Sequence, residues 1–358
     1  MPSPPPFDDA TPPRRRVPRH WALVAQLLAL LLVSACGPKP HPQAQPTAPE
    51  ALHQGPLADY IQAASLRWLL LAKPKQIASQ PTLKDALALL LPRPRLDLFA
   101  QESGVDLRRL RAGAIANYPL GTLYLSRLSG NGVRVEKAFL QRLLSGKRSR
   151  HPVPNLRAHT GIIGNTPQTL LIAEDRFSAI AVGDPTLANT AELFARRRLK
   201  RASPISRTED FRAFARDFSE ADCAFFAPGP FTGEWVAGAG GLLGAATAVV
   251  ASLRVEGTQL RLTIAMSGDW DPAADIPTLE RSWEALRASS LGHLLALRHP
   301  AVPAEVNSSR ERLELTVLLH PNAMAQGLRA AVAADVWEIM KSSNWDKSTD
   351  ISHPTKPL

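Results

Sequence analysis

A catalytic or metal centre in this chain would have to be drawn from nine histidines, two cysteines and a scatter of carboxylates. The usual spacings are missing. No Gly-x-Ser-x-Gly elbow and no Ser-x-x-Lys pair presents a nucleophile. No His-Glu-x-x-His helix offers two zinc ligands on one face. His293, His299 and His320 lie nearest one another along the chain. A catalytic zinc needs three ligands converging at about 2 Å with one position open, and nothing in this spacing forces that. His299 and His320 each precede a proline, as chain-turning residues do. Cys223 sits in the apolar run Asp222-Cys223-Ala224-Phe225-Phe226 and reads as a small buried hydrophobe. With two cysteines there is no disulfide framework and no CxxC pair. The expectation is a protein with no catalytic residues, no metal and no cofactor.

Three further segments have ligand-like spacing. Gly238-Ala239-Gly240-Gly241-Leu242-Leu243-Gly244 is glycine-rich, but Pro228-Gly229-Pro230 separates it from the preceding strand. A dinucleotide fingerprint needs that strand directly before its first glycine. The alternatives are a helix whose glycines allow close backbone approach, or a flexible loop. The apolar run Trp235–Val250 also admits peripheral membrane insertion. Asp269-Trp270-Asp271, with Asp275 beyond, begins like a calcium loop, but Ala273 and Ala274 occupy positions that need an acid or amide and a glycine. The simpler reading is a turn whose carboxylates favour the following helix N-terminus. Basic clusters stand at Lys147-Arg148-Ser149-Arg150 and at Arg196-Arg197-Arg198-Leu199-Lys200-Arg201. Arg196, Arg197, Arg198, Lys200 and Arg201 are candidate contacts to an anionic partner. The alternative is a helix end favoured by the dipole. No aromatic side chains interleave them, so nucleic-acid stacking is not indicated.

The elements that must position these residues form an α+β pattern. Leu57–Leu71 is apolar, a helix running into a strand at Leu66–Leu71. Helices are expected at Thr82–Leu91, Leu96–Gln101, Leu107–Leu110 and Val135–Leu144, and strands at Ala114–Tyr118 and Thr122–Leu128. Asn155–Ile163, Thr169–Ala173 and Phe177–Val182 are short apolar runs split by tight turns, the pattern of an antiparallel meander. A helix then runs to Arg198. The second half repeats the order: a helix at Thr208–Phe218, a strand at Ala221–Phe226, and a hairpin of Val249–Val255 and Gln259–Met266 about Glu256-Gly257. A helix at Pro277–Ala288 follows, then strands at Leu291–Leu297 and Leu313–Leu319 and a closing helix at Asn322–Met340. Two local echoes accompany this order: Ser65–Leu70 with Ser290–Leu295, and Ile180–Pro185 with Ile264–Asp269. The expected architecture is two similar lobes, 57–203 and 204–341, each an antiparallel meander packed with helices.

The termini differ in kind. Arg14, Arg15, Arg16 and Arg19 precede an apolar stretch of 13 residues, Trp21–Val33. A spanning helix needs about 20. A basic region, a short apolar region and small residues before Cys36 make a secretory signal, removed after residue 35. The alternative is an uncleaved N-terminal anchor. Residues 37–56 hold six prolines and read as an extended tether. Residues 342–358 read as a disordered tail. Without residues 1–35 the chain keeps 323 residues and a net charge of +8. A hydrophobic content of 45% is that of a folded chain with a sizeable core. The positive excess suits anionic lipid or a cell-wall polymer.

The run Leu32-Val33-Ser34-Ala35-Cys36 resembles the lipobox of bacterial lipoproteins. That resemblance implies a thioether-linked diacylglycerol and an N-acyl chain on Cys36, hence a membrane partner through that anchor. Gly37 in place of aspartate implies the outer membrane, by similarity to enterobacterial sorting. The strand–helix order and the phrase Gly104-Val105-Asp106-Leu107 are similar to an uncharacterised family of bacterial surface domains with duplicated α+β halves. This family implies fold only. The expected role is non-catalytic binding or scaffolding at the cell envelope, with an unidentified envelope protein as partner and no nucleic acid. The rivals are a solute- or lipid-binding lipoprotein with a cleft between its lobes, and an envelope enzyme of unrecognised type.

Overall fold

A computed structural model of the chain describes residues 52–149, 155–199, 202–236, 238–289, 292, 296–298, 300 and 302–329. The folded body lies within residues 51–358. The expectations for residues 1–35, Cys36, the tether up to residue 51, and the tail therefore lie outside the described residues. Among the described residues, no helix is long and apolar enough to cross a membrane.

The strands are β1 (Trp68–Ala72), β2 (Ala112–Tyr118), β3 (Gly121–Arg127), β4 (Ser145–Ser149), β5 (Leu156–Ile163), β6 (Thr166–Ala173), β7 (Phe177–Val182), β8 (Cys223–Pro228), β9 (Ala246–Glu256), β10 (Gln259–Gly268), β11 (Val302–Ser308) and β12 (Arg312–Leu319). They form one antiparallel sheet, ordered β11-β12-β10-β9-β8-β1-β2-β3-β7-β6-β5-β4. The α+β expectation holds in this form. Each half begins with a three-strand meander, sends a helix over one face, and returns so that its last strand lies beside its third. The halves are joined edge to edge. Leu69–Ala72 of β1 pair with Cys223–Phe226 of β8 on one side and with β2 on the other.

Both faces of the sheet are covered over β6, which explains why it is buried along Thr169–Ala173 without alternation. On face A the segment 52–66, the helix Thr186–Ala195 and the helical pieces of 205–220 cover the centre. There Leu69, Ala116, Leu123, Phe226 and Val250 meet Tyr60, Ile61, Ala191 and Phe214. On face B the cover comes in two parts. Helix Gly132–Arg142 places Val135 and Phe139 on Leu170 and Ile172. Helix Pro272–Ala288 places Leu279 and Trp283 beside Met266 and Leu313.

Several expectations need correction. Residues 52–56 belong to the body, not to the tether: Leu52 joins the core and His53 donates its backbone N–H to the Ala195 carbonyl at 2.7 Å. Leu57–Leu71 is only a short turn at Leu57–Tyr60 before β1. The helix ending at Pro92 covers Lys84–Leu90, and a second runs Arg93–Ser103 from Pro94 near its start. That second helix stops at Gly104, at φ +75°, where a Cβ would lie 2.5 Å from the Arg134 carbonyl oxygen. Only glycine fits that left-handed residue and that approach. The helix after β7 ends at Ala195, three residues short of Arg198. Strands β4 and β11 had no counterpart in the sequence reading. Of the strand expected at Leu291–Leu297, the described residues are Gly292, in a helical turn, and Ala296–Leu297, in a turn. The closing helix is described over 321–329.

Candidate functional site

The site lies on face A over the seam, where both halves supply the floor. Thr208 opens the covering segment by accepting the Phe211 N–H on its side-chain oxygen at 3.4 Å. The sequence suggests one helix at Thr208–Phe218. The structure has two pieces, Glu209–Ala213 and Ala215–Glu220, broken at Phe214. The break turns three rings onto Phe226, a fully buried residue of β8. Phe211, Phe214 and Phe218 meet it edge-on at centroid distances of 5.4, 6.3 and 5.9 Å. Phe211 and Phe218 stack at 4.1 Å.

Beside this aromatic comb the floor is short of volume. Ala112, Ala114 and Ala224 stand on this face where an interior strand would usually carry a branched side chain. The result is a pocket of about 370 Å³ bounded by Leu71, Phe211, Ala215 and Phe218 and closed by Pro56–Ala58. That lies in the range of small-molecule sites, which are mostly apolar with a few placed polar groups.

Its polar groups gather at the start of β8. Asp222 is only 5% exposed. Its Oδ2 accepts the Val255 N–H at 2.9 Å, while Oδ1 has no partner among the described residues. The Asp222 carbonyl accepts the Lys73 backbone N–H at 2.8 Å, and Lys73 Nζ donates to the Ser219 carbonyl at 2.8 Å. The Ser206 hydroxyl donates to Asp59, and the Ser219 hydroxyl to the Arg216 carbonyl.

Across the helix Ala215–Glu220 lies a larger polar cleft of about 610 Å³. Its arginines are matched by carboxylates. Arg312 reaches Asp217 and Glu314, both at 2.8 Å, and Arg254 and Arg216 reach Glu220 at 2.7 and 2.8 Å. Burial alone would lower the proton affinity of Arg312. Hydrogen bonds to Asp217 and Glu314 outweigh it, and the shift is upward. This is a self-neutralised ladder on a solvated sheet face, with no spare charge of either sign for a ligand.

The residues singled out in the sequence do not converge here. Arg196 turns inward, 12% exposed, onto Glu192 at 3.0 Å. Arg197 leaves the helix at φ +54°, exposed, near His53 Nδ1 at 3.3 Å, and Arg198 is exposed. Lys200 and Arg201 lie outside the described residues. So do His293 and His299, while His320 is exposed. Among the described residues no group of three or more His, Cys, Asp or Glu could hold a metal. Asp271 and Asp275 cap their helix reciprocally. Asp271 Oδ1 accepts the Ala273 N–H at 3.0 Å, and Asp275 Oδ2 accepts the Asp271 N–H at 2.8 Å. The glycine run is a pair of tight turns. A Cβ on Gly240 would lie 2.6 Å from Ser282 Oγ of the neighbouring helix, so close approach is what the glycine serves, without a helix of its own. The end of the apolar run Trp235–Val250 is strand β9 in the sheet.

Cys223 lines a small apolar space with Leu83, Leu87 and Met324, which Asp222 also borders. Burial pushes its thiol up, and the neighbouring Asp222 adds to the shift. Its thiolate is scarce at neutral pH. Native protein is expected to react with a disulfide-exchange reagent at least tenfold more slowly than protein in urea, followed by thiolate release. Equal rates would contradict this burial.

Fold and site together define an α+β protein whose two halves share one antiparallel sheet, with an apolar pocket over their seam. Among solved structures, crystal form III of TP0453 is similar over 78% of this chain and 99% of that one, at 10% identity and TM-score 0.48. Crystal form I of TP0453 gives 77%, 97%, 12% and 0.46 in the same order. No functional residue is carried over from a likeness of that size. No protein-family model matches the chain, and no curated protein matches it.

Proposed function

We propose that this is a cell-envelope protein, held to a membrane by lipid on Cys36, with a non-catalytic binding role, and that its ligand is a small apolar molecule seated over the seam. The observation that carries this reading is the pocket itself. It is walled by apolar carbon on nearly every side and floored by residues too small to fill it. Emptying such a volume of water by inserting carbon is favourable at roughly 25 cal/mol per Å² of apolar surface buried. The lipobox-like run supports the anchor, and the residue after Cys36, Gly37, favours the outer membrane.

The neutral probe N-phenylnaphthylamine tests the reading. It is expected to gain fluorescence with the full chain and to be displaced by medium-chain alkyl compounds. Ala215 is exposed at the pocket wall. Ala215→Trp should therefore fill the space without disturbing the core, and lower probe affinity at least tenfold at unchanged melting temperature. Undiminished binding in Ala215→Trp would move the ligand elsewhere and end this assignment.

A further inference from the structure

We propose a second ligand site, for a phosphate monoester, in the cavity that Arg111, Arg127 and Arg176 line where the chain enters the body. The cavity measures about 310 Å³ and shares no lining residue with the apolar pocket over the seam.

Strand pairing assembles it. Arg127 ends β3 and lies opposite Ala112 of β2 and Phe177 of β7. Arg111 directly precedes Ala112, and Arg176 directly precedes Phe177. Three adjacent strands, roughly 4.8 Å apart, thus bring an arginine each to the same end of the sheet. The turn that carries Arg176 is held by its own carbonyl, which accepts the Leu128 N–H at 2.6 Å. Tyr60 and Phe177 stack at 4.6 Å in the wall, and the Arg127 guanidinium lies over both rings at 5.6 and 5.9 Å. Its Nη2 donates to the Gly55 carbonyl and the Tyr60 hydroxyl. Its Nε and Nη1 have no partner among the described residues, and neither is sealed from solvent. Arg127 is therefore fixed in place with donors to spare. Arg111 and Arg176 stand exposed at the rim, with no ion pair among the described residues.

The charge here is not cancelled as it is in the polar cleft. There each arginine has its carboxylate. Here three guanidinium groups meet one lining carboxylate, Glu174, which leaves a net charge of +2. His53 is engaged elsewhere: Nε2 donates to Asp59 at 2.7 Å, and Nδ1 accepts from Arg197 at 3.3 Å. A phosphate monoester carries about −1.5 to −2 near pH 7 and offers three strong acceptor oxygens. Guanidinium forks bind such oxygens two at a time. A monocarboxylate would answer half the charge with fewer acceptors. The esterified alcohol has two sources, a free polyol or the glycerol of a lipid, and both present the same group to the arginines.

Calorimetric titration of the full chain carrying Ala215→Trp, which shuts the seam pocket, tests the site with glycerol 3-phosphate, dihexanoyl phosphatidic acid and glycerate. Glycerol 3-phosphate is expected to bind at least tenfold more tightly than glycerate. Arg111→Gln and Arg176→Gln change exposed side chains, so each should weaken binding at least tenfold at unchanged melting temperature. Glu174→Gln removes the opposing charge and should strengthen it. Arg254→Gln, in the polar cleft, should leave the affinity as it was. Phosphatidic acid binding at least tenfold more tightly than glycerol 3-phosphate would support the site and make its ligand a lipid headgroup. Comparable binding of the two would support it with a free phosphate ester as ligand. Binding of neither ester, equal binding of glycerate, or an affinity that survives both Arg111→Gln and Arg176→Gln would overturn the proposal and leave the seam pocket untouched.

Discussion

Replacing Cys36 with serine is expected to move the protein from the membrane pellet to the soluble fraction, or to leave it as an unprocessed precursor. The size of the effect follows from chain arithmetic. Each buried CH2 contributes about 0.8 kcal/mol, and one myristoyl chain gives only marginal, reversible binding. The proposed diacylglycerol and N-acyl chain bury several times that number of carbons on one residue. Their loss changes membrane partition by many powers of ten, with no other span among the described residues to compensate. Fractionation of wild type and Cys36→Ser, with mass spectrometry of the mature N-terminus, reads the outcome. An unmodified Cys36, or cleavage at another site, would sink the anchoring proposal.

Phe226→Ala is expected to destabilise the fold by about 3–5 kcal/mol, the range for emptying a large aromatic site in a core. Phe226 is 0% exposed, lies on the strand that joins the halves, and carries three ring contacts from the covering segment. The covering rings approach from two short helical pieces that are also held by Arg312 on Asp217, Arg254 on Glu220 and Lys73 on the Ser219 carbonyl, so they cannot all follow the vacated space. Urea unfolding should show a lower midpoint with a nearly unchanged slope. A loss below about 1 kcal/mol would mean that the cover collapses onto β8 and that the comb does not fix its position.

Legibility in the sequence tracked how much of each element's environment lies nearby in the chain. Strand β7 appears at its true bounds, Phe177–Val182, because both flanking turns are local and its apolar run is short. The β9–β10 hairpin is legible for the same reason at Glu256-Gly257. The two outer strands are not. Residues Ser145–Ser149 and Val302–Ser308 pair on one side only, and β11, with Pro303 and mostly half-exposed or exposed positions, lacks the apolar signature of an interior strand. Part of β4 was read as the basic cluster Lys147–Arg150. Conversely, Leu291–Leu297 is apolar enough to suggest a strand, and the described residues within it turn.

The pocket was out of reach for a different reason. Asp222 is buried by β1, β9 and a helix some 150 residues from β1, and no local pattern reports such a meeting. A partial signal exists in hindsight. Ala112, Ala114 and Ala224 put very small residues at neighbouring positions on one face, which leaves space over the sheet. The rhythm of apolar residues identifies the strands but says nothing of the volume missing between them.

The route by which the chain enters the sheet has a mechanical consequence. After residues 52–66 it passes directly into β1, which is hydrogen-bonded on both sides, to β2 and to β8. A pull applied through the N-terminal segment is first resisted by the His53 and Arg127 contacts that pin residues 53–55. It then loads an interior strand along its own axis. Rows of hydrogen bonds stressed lengthwise must break together, whereas a strand at the rim would peel away one bond at a time. The N-terminal entry of the body is thus a place suited to carrying tension without unravelling.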